Sequence, residues 1–320
     1  DGAPTPRYGQ VAVWTGTEMV IWGGEDSSGL EVNTGARYDP GLDVWVPTSL
    51  AGAPATHTYS VYSGVWAGTE VIVFGGWEAE GGRYNPTLDS WAPTSTVGAP
   101  TSGSRPLMVW TGSTVVVLGL GPDSSIPSGA RYIPASDTWL PVSEVGAPSS
   151  WGQGVWTGQD VIVWRSNPGG RYDPDSDIWT PIAGPEGPPT QFDAWTGNVG
   201  IAWGGHDLGV SSNQGALYDP TLDHWTPMSE LGAPSERKRE TSVWTGSEWM
   251  VYGGARYTEP LSDGGRYDPI RNAWRPMAGY MPRAYASSVW TGSEMIVWGG
   301  YGGTALPYGC LTATRGGGRY

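Results

Sequence analysis

Apolar residues fall in short runs of four to six, separated by polar breaks rich in glycine and proline. The first unit shows the pattern. Gln10 to Trp14 is an apolar run, Thr15-Gly16 breaks it, and Glu18 to Trp22 resumes it before Gly23-Gly24. Ala36 to Asp39 and Val44 to Thr48 follow, separated by Pro40 to Leu42. No stretch has the 3.6-residue period of an amphipathic helix, so these runs are predicted to be strands. Their Val, Ile, Trp and Tyr content suits a pleated surface. Glycine at Gly16 is free to take the positive φ of a tight hairpin. Asp39-Pro40 favours the start of a second turn. One unit is thus four antiparallel strands.

The unit recurs. A Val-Trp or Ala-Trp before a turn appears at Trp14, Trp66, Trp110, Trp156, Trp195, Trp244 and Trp290, at spacings of 39 to 52 residues. Later stations are a double glycine, Arg-Tyr-Asp-Pro (Arg37 to Pro40) and Asp-x-Trp-x-Pro (Asp43 to Pro47). Four strands repeated near every 45 residues predict propeller blades. The expected fold is an all-β, seven-bladed β-propeller of four-stranded antiparallel blades, one domain over residues 1–320. The blades are placed at residues 7–48, 57–95, 104–143, 150–182, 190–229, 238–277 and 284–320. The seventh copy reaches only its third-strand station, Gly318-Arg319-Tyr320, so blade seven is expected to lack its outer strand. Two explanations stand open: a continuation beginning Asp-Pro, or a strand donated by a partner.

The double glycine after strand two, the Tyr of strand three, the Trp of strand four and the lead-in arginines Arg7 and Arg283 resemble the Kelch-repeat β-propeller family, of the bacterial tandem type. The resemblance covers essentially the whole chain. It implies the fold but no one activity, since a single fold hosts many functions. No Gly-His…Trp-Asp pairing supports a WD40 propeller.

Composition narrows the partners. The formal charge is −14 and Lys238 is the only lysine, which argues against nucleic acid or an anionic membrane. No apolar run is long enough for a membrane span. Cys310 is the single cysteine, so no intrachain disulfide forms. The 20 Trp and 16 Tyr supply the burial that a chain about one quarter Gly and Pro needs in order to fold.

Topology locates the variable surface. The turns between strands one and two and between three and four share one face and are uniform. The loop between strands two and three shares the opposite face with the lead-in to the next blade, and these segments vary. Binding usually resides on such loops. Arg7, Arg105, Arg237, Arg239 and Arg283 fall in the lead-ins, near the channel mouth. They suit either an anion site or pairing with Glu236, Glu240 and backbone carbonyls. Trp77 and Trp151 are the only two Trp outside strand stations, placed to stack on a sugar or a protein or to cover the rim. His206 and Asp207 begin the fifth loop, near Asp193 by topology.

No catalytic set emerges. His57, His206 and His224 are the only histidines, and His224 lies on the opposite face from His206. No metal site or cofactor is expected. A copper–radical centre like that of galactose oxidase needs a Tyr–Cys crosslink and two His. A sialidase-type Asp box, a Gly-x-Ser-x-Gly and a phosphate loop are all absent. The expected function is a non-catalytic binding or scaffold module for a protein or glycan. Alternatives are a carbohydrate-active hydrolase or lyase at the channel mouth, and a structural subunit of a larger extracellular assembly. The resemblance implies an extracellular, cell-surface or periplasmic location.

Overall fold

The structure is a computed structural model that describes residues 2–55, 62–76, 80–101, 106–120, 127–149, 152–164, 168–185, 192–204, 206–207, 210–302 and 317–320. All its regular elements are strands. Six four-stranded antiparallel sheets follow one another as meanders in chain order. In blade one these are Val11–Trp14, Met19–Trp22, Gly35–Asp39 and Val44–Pro47, within one residue of the spans read from sequence. The first strand of each blade touches the first strand of the next. The ring is closed by Ser287–Trp290, which touches both Thr241–Trp244 of blade six and Val11–Trp14 of blade one. The arrangement is a β-propeller.

One expectation needs correction. The motif occurs seven times, but the described residues form six complete blades. The seventh copy gives a three-stranded sheet of Ser287–Trp290, Met295–Trp298 and Gly317–Arg319. The fourth strand in the complete blades is the Asp-x-Trp-x-Pro segment, or Asn-x-Trp-x-Pro in blade six.

The core lies between sheets rather than inside one. Each apolar cluster joins two neighbours: Val20 and Trp22 of blade one pack with Val73, Tyr84 and Trp91 of blade two. Ile296 and Trp298 of the three-stranded sheet pack with Met19, Ile21 and Tyr38 of blade one. The strand-one Trp are only partly buried, and the deepest rings belong to strand two, at Trp22, Trp203, Trp249 and Trp298.

A repeated latch, complete in blades two, three and four, fixes a blade to the one before it. The Asp or Asn that opens strand four takes a left-handed conformation, with φ between 46° and 59° at Asp43, Asp89, Asp137, Asp177, Asp223 and Asn272. It accepts the hydroxyl of its own strand-three Tyr, as in Tyr84 to Asp89 at 2.7 Å. Asp89 also accepts the Ser49 amide of the preceding blade at 2.9 Å. The strand-four indole then donates back to the same residue, Trp91 to the Ser49 carbonyl at 3.0 Å. Strand-three arginines bridge the same gap. Arg37, Arg83, Arg131 and Arg171 each donate to a proline carbonyl of the following blade, at Pro86, Pro134, Pro174 and Pro220. Three of them also pair with an acid of their own blade, Glu18, Glu70 or Asp160. Arg131 holds Asp177 of blade four instead. Blade five, with Leu217 and Val199, has neither partner.

Candidate functional site

Among the described residues, three lead-in segments at the channel mouth are held against double glycines. Arg7, Arg237 and Arg283 each send Nη1 to the carbonyl of the glycine sixteen residues on: Gly23 at 3.1 Å, Gly253 at 2.9 Å and Gly299 at 2.8 Å. The amide of the second glycine reaches the next lead-in, Gly254 to the Arg283 carbonyl at 2.7 Å and Gly300 to the Arg7 carbonyl at 2.9 Å. A side chain at Gly300 would sit 2.6 Å from the Ala284 carbonyl, so the approach requires glycine there.

This geometry turns three expected ligand-binding arginines inward. Arg7, Arg237 and Arg283 are at most 1% exposed. All five N–H donors of Arg7 are used, on Thr5, Gly23 and Thr34. All five of Arg237 are used, on Ser235, Gly253 and Asp263. Burial pulls the Arg7 guanidinium down to about 10, opposed by Asp26, which leaves it charged at neutral pH. These residues clamp the lead-ins rather than face a ligand. Asp193 is also occupied. Its Oδ2 accepts the Trp203 amide at 2.8 Å and its own amide donates to Ile201, extending the ladder of blade five.

Arg239 differs: it is exposed. It stands two residues after its clamp arginine, at the station held by Gly9 in blade one and Tyr285 in the three-stranded sheet. All three are left-handed, with φ of 65°, 69° and 56°. That conformation is natural for glycine and costs roughly 1–2 kcal/mol for another residue. The two strained residues meet, with the Arg239 guanidinium 4.2 Å from the Tyr285 ring centroid. Tyr285 packs on Tyr301 at 5.1 Å and Tyr8 at 5.9 Å, and Tyr8 on Tyr301 at 5.4 Å. Arg239 Nη1 reaches the Tyr301 hydroxyl at 3.4 Å, and the Tyr8 hydroxyl donates to Glu25. Burial pushes the Tyr301 phenol up to about 12, with Arg239 opposing. The result is one cation held on a floor of three tyrosines.

Glu240, next in the chain, occupies the place of Gln10 in blade one. Gln10 Nε2 donates to the Trp298 carbonyl at 3.2 Å. Glu240 Oε2 is shielded from solvent and has no hydrogen-bond partner. Burial pushes this carboxyl up to about 7, against its own backbone amide and Arg237. The unfolded chain releases this proton near the ordinary value of 4.5, so between about 4.5 and 7 the folded state binds more protons. The stability from Glu240 is therefore complete below that window and lost as pH rises through it. Glu240→Gln restores the residue of blade one. Melting profiles should show the decline across that window reduced in this variant, with a higher Tm at about pH 8. Superimposable profiles would contradict the assignment.

The sequence-predicted residues thus divide. Arg239 is exposed at the mouth, and Arg7, Arg237 and Arg283 lie beneath it. Trp77, Arg105 and Trp151 lie outside the described residues. His206 sits in a two-strand hairpin, His206–Asp207 with Val210–Ser211, and its side chain lies outside the described residues. Tyr8, Tyr285 and Tyr301 were missed. Aligning the lead-ins on their clamp arginines would have shown Arg and Tyr at a glycine station. Among the described residues no three His, Cys, Asp or Glu gather as metal ligands, and no helix is long and apolar enough to cross a membrane. No protein-family model matches the chain, and no curated protein matches it either.

Proposed function

We propose that this chain is a non-catalytic binding module, a Kelch-type propeller whose seventh blade is the three-stranded sheet. Its ligand is a protein or glycan bound at the channel mouth. The observation that carries this reading is the strained pair Arg239 and Tyr285. Two residues in a glycine conformation, stacked on each other at one mouth, are a cost that packing does not require, since Gly9 fills the same station. Such strain gathers at ligand-binding positions. The exposed guanidinium on an aromatic floor, in a protein of formal charge −14, offers a defined cation to an acidic group of the ligand. The tyrosines offer flat, half-wet surface to a sugar ring or a side chain. The Kelch resemblance supports placing it outside the cell or on the surface.

The test is a screen of the immobilised protein against glycans and cell-envelope fractions, with each hit re-measured on Tyr285→Ala. At least tenfold weaker binding by the variant is expected, with retention falling as salt rises. Hits unaffected by Tyr285→Ala would place the ligand elsewhere, and an absence of hits would count against a binding module.

A further inference from the structure

Exposed arginines in this acidic chain normally hold an acid. Arg256 pairs with Glu236, Arg271 with Asp268 and Arg275 with Glu248. Arg239 is equally exposed and forms no ion pair among the described residues. The nearby acids are committed elsewhere, since Glu25 accepts the Tyr8 hydroxyl and Glu236 holds Arg256. Lys238, the only lysine of the chain, precedes Arg239 and also forms no ion pair among the described residues. Two consecutive cations therefore stand unpaired at the mouth of a protein of formal charge −14.

The Arg239 guanidinium is also short of acceptors. One Nη1 hydrogen reaches the Tyr301 hydroxyl at 3.4 Å. Among the described residues nothing accepts from Nε, from Nη2 or from the second Nη1 hydrogen, whereas Arg7 and Arg237 use all five donors. The Nε–Nη2 edge is a planar fork of two parallel donors, the shape that a carboxylate accepts with both oxygens. Stacking at 4.2 Å on Tyr285 holds the plane, and the contact with Tyr301 through Nη1 leaves that edge open. The fork is oriented before a ligand arrives, so binding orders less side chain.

The surroundings suit a sugar better than an extended peptide. A peptide strand docks by adding to free backbone. Here Lys238 exchanges hydrogen bonds with Ala255, Ala284 exchanges them with Tyr301, and the Tyr285 amide donates to the Arg239 carbonyl. Arg7 and Tyr8 pair with Asp26 and Glu25. What stays open is aromatic: Tyr8 and Tyr285 are half-buried rings 5.9 Å apart, inclined at 54°. A pyranose can lay an apolar C–H face on such a ring. In a uronic acid the carboxylate is bonded directly to the pyranose, so a guanidinium beside an aromatic ring reads both parts of one unit.

We propose, on the reading that the mouth is the binding site, that the ligand is an oligouronate, an acidic glycan with a carboxylate on each sugar. One unit seats its carboxylate on the Arg239 fork and its ring against Tyr8. Lys238 attracts the carboxylate of a neighbouring unit.

Isothermal titration of the full chain with oligomers of galacturonate, glucuronate, mannuronate and guluronate, in calcium-free buffer, is the test. At least one series should bind saturably. The methyl ester of that oligomer keeps the rings and removes the charge, and should bind at least tenfold more weakly. Arg239→Lys should also lose at least tenfold, because an ammonium keeps the charge without the fork. Dextran sulfate and poly-glutamate should bind more weakly than the uronate. No uronate binding, equal binding of the ester, or equal binding by Arg239→Lys would overturn the inference. A neutral glycan or poly-glutamate that binds in place of uronate and still needs Tyr285 would overturn the oligouronate alone and keep the mouth as the site. Uronate binding indifferent to both Tyr285→Ala and Arg239→Lys would sink the two readings together.

Discussion

Trp139→Ala is expected to lower stability by about 3–5 kcal/mol, the range for removing a buried large aromatic. The ring is 7% exposed and lies 4.8 Å from Phe74 of blade two and 4.7 Å from Tyr132 of its own blade. Its Nε1 donates to the Ser95 carbonyl at 2.7 Å, so truncation also strips a donor from an acceptor in the preceding blade. Two interactions across one blade boundary are lost together. Chemical denaturation should show a lower midpoint. A loss below about 1 kcal/mol, typical of surface change, would mean that the latch is not what holds the blades in register.

Arg237→Ala is expected to be comparably damaging, by about 3–5 kcal/mol, as when one partner of a buried charged network is removed. The buried Gly253 carbonyl would lose this donor, and the Asp263 carbonyl would keep only the Gly253 amide. Arg237→Lys should rescue little, because three donors on a point charge cannot reproduce five in a planar fork. Urea melts of the two variants decide this. If lysine restores the wild-type midpoint, the clamp is a matter of charge alone and the hydrogen-bond geometry is incidental.

The repeat made the fold legible because its signals are local. Thr15-Gly16 and Asp39-Pro40 each sit within a few residues of the strands they join, and each is read correctly from the chain. The Trp stations were legible as packing residues, although the deepest burial falls at Trp22, Trp203, Trp249 and Trp298. The site was harder to read because its parts converge from different copies. Tyr8 is separated from Tyr285 and Tyr301 by most of the chain, and only ring closure brings it to them. For Arg7, Arg237 and Arg283 the sequence left an anion site and pairing with backbone carbonyls both open, and the structure shows the carbonyl pairing. A lead-in arginine in an acidic protein suggests an anion site, and nothing local shows that a glycine carbonyl sixteen residues on will claim it. The seven copies give six complete blades among the described residues, and the three-stranded sheet of the seventh copy matches the expectation that it lacks an outer strand.

Replacing Arg239 with glycine separates function from structure at the mouth most directly. Glycine is at ease at the φ of 65° that Arg239 holds, so Arg239→Gly should relieve strain of about 1 kcal/mol and leave Tm unchanged or raised. Binding of any ligand retained by the wild type should fall at least tenfold, since the cation over Tyr285 is gone. A variant that is markedly less stable and still binds would contradict the central claim, because Arg239 would then be a structural residue and the mouth would not be the site.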